Sequence, residues 1–502
     1  MPANAGVFLH GAFGKKSKFS AKELGGMELL IKAIRVKDLF GFYSYDLPSA
    51  GKSLPDAAIF YGDNGLGKST VLRLVFHMLS PADNKGHRSA LLEVPYRYLE
   101  VELSSGIVLR ASRRAEIDEK ALVLAISKGS KTLAEWNFSS PGHHASDVDR
   151  ILNELTHVSS ESSNKGGISI KKTSDGRYIF VDEYHGARGR KNHPRGEAAY
   201  MQELLRHVPN MFLLNAERRL DSDIVSDPSD EVELRRALRF DEPKRINDLV
   251  VRSREIALSQ ALSAAGKWIS AQAVQGANRG STNVHGVYVN VLRHLVAPAK
   301  KNQAGTDLAH PEMLLTSLTE IESKSAQLAK YELTAELSTS DFRRALQATA
   351  KTKRQIAANL LKPYLDSLQG RLAALEPVYR VVDDFVTIVN GFLYDKSLSF
   401  GFSSGFQIKN KRGDELGPRL LSSGEQQLLL LFCYALVSRD KPSVFIIDEP
   451  EISLNVKWQR KLVQSLLDIT KGSRIQFILA SHSMELIAQH RGRVVKLESR
   501  DG

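Results

Sequence analysis

The chain has 502 residues, 42% hydrophobic and 25% charged, ordinary proportions for a globular protein with room for two or three domains. Its formal net charge of +12 suits a nucleic acid or an acidic protein as partner, but the excess cations are spread along the chain and do not choose between them. The longest apolar run, residues 428–437, is about half of the ~20 residues that cross a bilayer, so no membrane role is expected. A single cysteine, Cys433, excludes an intramolecular disulfide framework and a multi-cysteine zinc site and fits a reducing cytoplasm.

Residues 1–26 carry Lys15, Lys16, Lys18 and Lys22 without the apolar core of a signal peptide, and read as a flexible extension. Residues 29–36 and 42–47 predict two strands around a turn at 38–41. Residues 57–61 predict a short buried strand that ends in a glycine-rich loop. After Lys68, the residues Val71, Leu72, Val75, Met78 and Leu79 recur at helical spacing. Four further strands, at 96–103, 107–112, 121–126 and 133–138, predict a small antiparallel sheet with a turn at Ser104-Ser105-Gly106.

Residues 159–167 and 184–196 read as loops, the second with Arg188, Arg190, Lys191 and Arg195. From 231 to 393 the pattern is mainly helical, with breaks near 276–286 and 298–311. Leu314, Leu318, Ile321 and Leu328, then Leu361, Leu365, Leu368, Leu372 and Leu375, predict paired amphipathic helices. After Ser397 strands and helices alternate again. The expected organisation is one α/β unit from residues 27–230 and 397–502, interrupted by a largely helical insertion at 231–396.

Three segments carry chemistry. Gly62-Asp63-Asn64-Gly65-Leu66-Gly67-Lys68-Ser69 fits the phosphate-binding loop G-x-x-x-x-G-K-[ST], placed between a strand and a helix. Glycines let the backbone amides close around phosphate oxygens, and the helix start adds its positive dipole end. The expected nucleotide-binding set is Gly62, Asn64, Gly65, Gly67, Lys68, Ser69 and Thr70, with Lys68 on the β- and γ-phosphates and Ser69 on Mg²⁺. The apolar run 444–447 predicts a central parallel strand ending in Asp448-Glu449-Pro450, with Asp448 as a second Mg²⁺ ligand and Glu449 as general base for the attacking water. The third segment, Leu421-Ser422-Ser423-Gly424-Glu425-Gln426-Gln427, opens the helix at 428–437. There a serine hydroxyl and backbone amides at a helix start either cap the helix or seek a phosphate.

This third segment resembles the signature motif of ABC ATPases. The resemblance implies an ABC-type P-loop NTPase head, made of a parallel sheet plus a small antiparallel β-subdomain, that works as a head-to-tail homodimer around two shared ATP molecules. It implies that Ser422, Ser423, Gly424 and Glu425 meet the partner subunit's nucleotide. Glu451-Ile452-Ser453-Leu454-Asn455 stands where these proteins have the D-loop, so Ser453 and Asn455 are expected at the dimer interface. Asn455 replaces the usual aspartate. Residues 475–480 predict a strand leading into Ser481-His482-Ser483, and His482 resembles the switch histidine that senses the γ-phosphate. The family's bridging glutamine has no counterpart, since no glutamine lies between Ser69 and Tyr200.

The string Asp448-Glu449-Pro450-Glu451-Ile452-Ser453-Leu454, with Trp458-Gln459 and Ser481-His482-Ser483 and together with Leu421–Gln427, is similar to the OLD-like ATPases of bacterial anti-phage defence. Among these are the ATPases of the Septu and PARIS systems and of some retrons; RecF is a more distant likeness. The implied function is a regulatory ATPase, a sensor or scaffold for a separate effector, a nuclease or toxin, in a homodimer or a higher oligomer. The alternatives are a RecF-like repair ATPase with ATP-gated DNA binding, and nuclease chemistry hidden in the middle region. DNA or an acidic phage protein are candidate contacts of the basic loop. Too few residues follow His482 for the Toprim nuclease domain of some relatives. Asp221-Ser222-Asp223 reads as a polar turn, and His143-His144 as surface residues without metal-ligand spacing.

Overall fold

The computed structural model describes residues 30–49, 51–82, 86–113, 121–139, 168–172, 178–182, 196–214, 220–222, 243–281 and 310–499. The expected N-terminal extension, the loop at 159–167, His143-His144 and the basic positions 188–195 lie outside them.

Two six-stranded sheets organise these residues, beside two hairpins, β8 (Ile168–Lys172) with β9 (Tyr178–Asp182) and β12 (Lys396–Gly401) with β13 (Gly405–Asn410). The first sheet is antiparallel, in the order β2 (Tyr43–Leu47), β1 (Ile31–Leu39), β4 (Tyr98–Leu103), β5 (Ile107–Arg113), β6 (Ala121–Lys128) and β7 (Lys131–Ser139). The pair β1 and β2 and the expected small sheet are thus one structure, because β1 pairs with β2 along one edge and with β4 along the other. The second sheet runs β11 (Leu220–Ser222), β10 (Asn210–Leu214), β14 (Ser443–Asp448), β15 (Ile475–Ala480), β3 (Ala57–Tyr61) and β16 (Val494–Lys496). All its pairings are parallel except that of the edge strand β11. Asp221 therefore sits in a strand, facing Leu213 across the pair, where a polar turn was expected; Asp223 lies outside the described residues.

The strands β3, β14 and β15 are largely apolar on both faces, as a sheet covered on both sides requires. Ala58, Phe60, Val444, Ile446, Ile478 and Ala480 join one core with α1 (Lys68–Leu79) and the antiparallel sheet. Their alternate neighbours Ala57, Ile59, Phe445, Ile447, Phe477 and Leu479 join a second core. That second core receives the helix Ser423–Val437, which explains why this helix is apolar on nearly all sides. It also holds Cys433, fully buried, and burial pushes its thiol far above the ordinary range. A thiol reagent is expected to leave the folded protein unlabelled and to react at this one position after denaturation, as a colorimetric thiol assay reads directly.

After α2 (His87–Glu93) and α3 (Glu197–His207) along the chain, the described residues of the middle region are mainly helical, in α4 (Pro243–Ser281), α5 (Pro311–Ala329), α6 (Ser340–Leu346) and α7 (Lys351–Asn390). A break was expected from residue 276, yet α4 continues through Gly276 to Ser281. The glycine is used for close approach: a Cβ there would stand 2.9 Å from the Ala374 carbonyl oxygen of α7. The leucines expected to pair do so. Leu314, Leu318, Ile321 and Leu328 of α5 share a core with Leu365, Leu372 and Leu375 of α7, and Leu361 and Leu368 pack against it partly buried. No described helix is long and apolar enough to cross a membrane.

Candidate nucleotide site

In the parallel sheet β15 lies between β14 and β3, so the carboxyl ends of three adjacent strands lead into the three segments 62–69, 448–455 and 481–483. Ligands of open α/β sheets bind outside these ends.

The loop after β3 is shaped by its glycines. Gly65 and Gly67 have φ of +87° and +76°, the left-handed region that side chains resist. Gly67 is the N-cap of α1 and offers no side-chain cap, so the first amides of that helix remain available to an anion. Tyr45 Oη donates to the Leu66 carbonyl at 2.8 Å and fastens the loop to the antiparallel sheet. Lys68, only 6% exposed, curls back so that Nζ donates to the carbonyls of Gly62 at 2.8 Å and Asp63 at 2.9 Å. Its burial lowers its pKa, an effect opposed by the carboxylates of Glu449, Asp448, Asp63 and Glu451. Asn64 is exposed and Thr70 half-buried.

Ser69 Oγ donates to Asp448 Oδ1 at 2.7 Å, which joins two residues 379 positions apart. Asp448 is 2% exposed, and burial raises its carboxyl pKa despite the bond from Ser69. A hydroxyl and a carboxylate held together in this way are hard oxygen donors of the kind Mg²⁺ prefers. Glu449 follows with φ of +50°, a strained value for a residue with a side chain, and its amide donates to the Ala480 carbonyl at 2.9 Å.

The third strand end delivers His482, half-buried. The carboxylate of Glu451 accepts three bonds there: from Ser481 Oγ at 2.9 Å, from the His482 amide at 2.7 Å and from the Ser483 amide at 3.1 Å. Gln459, on α9 (Val456–Ile469), adds another link, accepting from Ser483 Oγ at 2.7 Å and donating to the Leu454 carbonyl at 2.9 Å. Glu451 and Gln459 had no assigned role in the sequence. The repeated acid in Asp448-Glu449-Pro450-Glu451 was the available signal. Asn455 caps α9, accepting from the Trp458 amide at 3.0 Å.

Ser422 is the N-cap of the helix α8 (Ser423–Val437) in a complete capping box. Its hydroxyl accepts from the Glu425 amide at 3.3 Å, and the Glu425 carboxylate accepts from the Ser422 amide at 2.7 Å. Glu425, 6% exposed, is also paired with Lys396 at 3.1 Å, across 29 residues. Within the subunit these residues thus shape the helix start. Ser423 is exposed beside them. Gly424 packs against the turn at 449–455: a Cβ would stand 2.7 Å from the Ser453 carbonyl oxygen and 3.3 Å from the Trp458 ring. Gly424→Ala is therefore expected to push that turn away, costing roughly 1–3 kcal/mol of stability and lowering nucleotide turnover; a thermal melt and a steady-state assay read the two effects.

Residues 301–488 match the family described as "AAA domain, putative AbiEii toxin, Type IV TA system". The lipoprotein-releasing system ATP-binding protein LolD of Cereibacter sphaeroides is 35% identical over 82 residues, 16% of this chain and 35% of that protein. LolD 1 of Rhodospirillum rubrum is 35% identical over 80 residues, again 16% of this chain and 34% of the relative. The dipeptide transport ATP-binding protein DppD of Haemophilus influenzae is 25% identical over 154 residues, 30% of this chain and 46% of its own length. The chain thus spans about a third of the first of these relatives, 35% and 34% of the two LolD proteins. Among solved structures, the Smc head domain with an extended coiled coil bound to the C-terminal domain of ScpA, from Pyrococcus furiosus, is 12% identical with a TM-score of 0.33, covering 94% of each chain. The SMC head domain of Thermotoga maritima is 11% identical with a TM-score of 0.26, covering 92% of each.

The parallel sheet and the loop at 62–69 belong to an α/β fold with a substantial helical part, and parts of the sequence are similar to an AAA domain and to ATP-binding proteins.

Proposed function

We propose that the chain binds and hydrolyses ATP with Mg²⁺ in a head-to-tail homodimer. The observation that carries this reading is the bond between Ser69 and Asp448, which puts the end of the phosphate loop and the end of the β14 carboxylate strand at one point. The loop amides and Lys68 hold the phosphates, with Lys68 exchanging its bonds to Gly62 and Asp63 for phosphate oxygens. Ser69 and Asp448 hold Mg²⁺, which when bound neutralises charge on the β- and γ-phosphates. Glu449 takes the proton of the attacking water, and His482 stands at the γ-phosphate end. Phe40, on a turn with φ of +56° against Gly67, offers an exposed ring on which a base can stack. Ser422 to Glu425 serve the partner's nucleotide, and Ser453 and Asn455 line the interface between subunits.

Lys68→Ala tests the binding part. Loss of a charge-assisted bond to phosphate is expected to weaken ATP affinity about 10- to 100-fold, measured by calorimetry with Mg²⁺ present; unchanged affinity would remove the basis of the assignment.

The finer role rests on the likeness of residues 421–427, 448–454, 458–459 and 481–483 to the OLD-like ATPases. In this role the chain is a cytoplasmic sensor or scaffold that controls a separate nuclease or toxin in anti-phage defence. Purification from the native host with ATP and Mg²⁺ is expected to yield a complex with such an effector in fixed ratio. The competing reading is a RecF-like ATPase whose own output is ATP-gated DNA binding, with which the net charge of +12 is compatible without selecting it. Recovery of the chain alone, with tight and salt-sensitive DNA binding, would select that reading.

A further inference from the structure

We infer that Glu451 is the positioning residue of the switch segment, holding the backbone of His482 in register with the turn that carries Glu449. The inference rests on the nucleotide-site reading given above. The pairing of β14 with β15 ends at Asp448 and Ala480, followed only by the bond from the Glu449 amide to Ala480. Beyond that point the two chains separate, one into the turn at 449–455 and the other into Ser481-His482-Ser483. The Glu451 carboxylate takes over where the ladder stops. One oxygen accepts the amides of His482 and Ser483, the other the hydroxyl of Ser481, so three consecutive residues are tied to one side chain.

Bonds from amides to a carboxylate are shorter and stronger than those to a neutral acceptor. They also fix the backbone on both sides of the His482 side chain. The turn itself is over-determined: Glu449 and Ser453 hold positive φ, the Leu454 amide donates to the Glu451 carbonyl at 3.0 Å, and Gln459 braces Leu454 and Ser483 together. Gly424 then packs directly on the Ser453 carbonyl. The start of the helix α8, the turn with Glu449 and the segment with His482 therefore form one contiguous body with Glu451 at its centre. Residue 455 does not make this link, because its side chain is engaged in capping α9.

The test is a set of three substitutions, Glu451→Ala, Glu451→Asp and Glu451→Gln, made in the wild type and with His482→Ala, with Lys68→Ala alongside. Alanine removes the acceptors and aspartate is too short to reach both amides. Both are expected to lower kcat roughly 10- to 100-fold, as a misplaced group does, while ATP affinity in calorimetry stays within about twofold because uniform binding is untouched. Glutamine is expected to rescue most of kcat, since its carbonyl can accept both amides and its NH₂ can meet the Ser481 hydroxyl. With His482→Ala already present, Glu451→Ala is expected to cost nothing more. Full turnover in Glu451→Ala, an equal loss on top of His482→Ala, or a Gln variant as damaged as Ala would each overturn the inference. Where Ala lowers the melting temperature too far to assay, the Asp and Gln pair decides: Asp impaired with Gln active supports it, and any other pattern refutes it. Normal ATP binding in Lys68→Ala would overturn the nucleotide-site reading itself; an inactive Lys68→Ala beside additive losses refutes only the role of Glu451.

Discussion

Glu449→Gln is expected to bind ATP with near-normal affinity and to lose roughly 10²- to 10⁴-fold in hydrolysis, the contribution of a positioned general base. The substitution keeps size and polarity but cannot accept the water's proton at neutral pH. Because the backbone of Glu449 is held by its bond to Ala480, the amide side chain should occupy the place of the carboxylate. With hydrolysis blocked, ATP should accumulate between subunits, and the protein should shift from monomer to dimer in ATP and Mg²⁺ but not in ADP. Light-scattering chromatography and a phosphate-release assay read the two halves. Normal turnover would show that another residue activates the water.

The second large effect concerns the shared site. Ser422→Arg and Lys68→Ala are each expected to be inactive, the first through a bulky cation where the partner's phosphate should lie, the second through loss of the phosphate contact. Mixed in equal amounts, they should form heterodimers with one intact site, built from Lys68 of the first protein and Ser422 of the second. Random pairing of a two-fold dimer makes half of the dimers mixed, so recovery of roughly a quarter of wild-type activity is expected if the sites act independently. Ser422 also caps its helix, and losing the cap costs ~0.5–2 kcal/mol. The buried apolar face of that helix keeps it folded, which a melting curve checks. No recovery after verified subunit exchange would mean that hydrolysis is completed within one subunit or needs both sites.

The phosphate loop, the acidic strand end and the apolar helix after Leu421 were legible as sequence because each depends on neighbouring residues. Left-handed backbone at Gly65 and Gly67 demands glycine at those positions, whatever lies around them. A strand covered on both faces must be continuously apolar, so residues 444–447 announce themselves. The leucine spacing of α5 and α7 likewise encodes one buried stripe each, and it pairs them correctly. Less was legible where a local rule met a distant neighbour. Gly276 reads as a helix break, yet the helix runs through it, and glycine stands there because α7 passes too close for a side chain. The triplet at Asp221 reads as a turn, and pairing with β10 makes its first two residues the end of a strand.

What only the tertiary structure decided are the joints between motifs. Ser69 meets Asp448, Glu451 holds His482, Lys396 pairs with Glu425, and Gly424 packs on Ser453. Each joins residues far apart in sequence, so no periodicity or spacing can report it; the adjacency of β3, β15 and β14 creates the first two. The chemistry of the site is written in consecutive residues, because phosphate binding uses backbone geometry that a few side chains determine. Its assembly depends on strand order and packing, which arise from the whole chain burying its two cores at once.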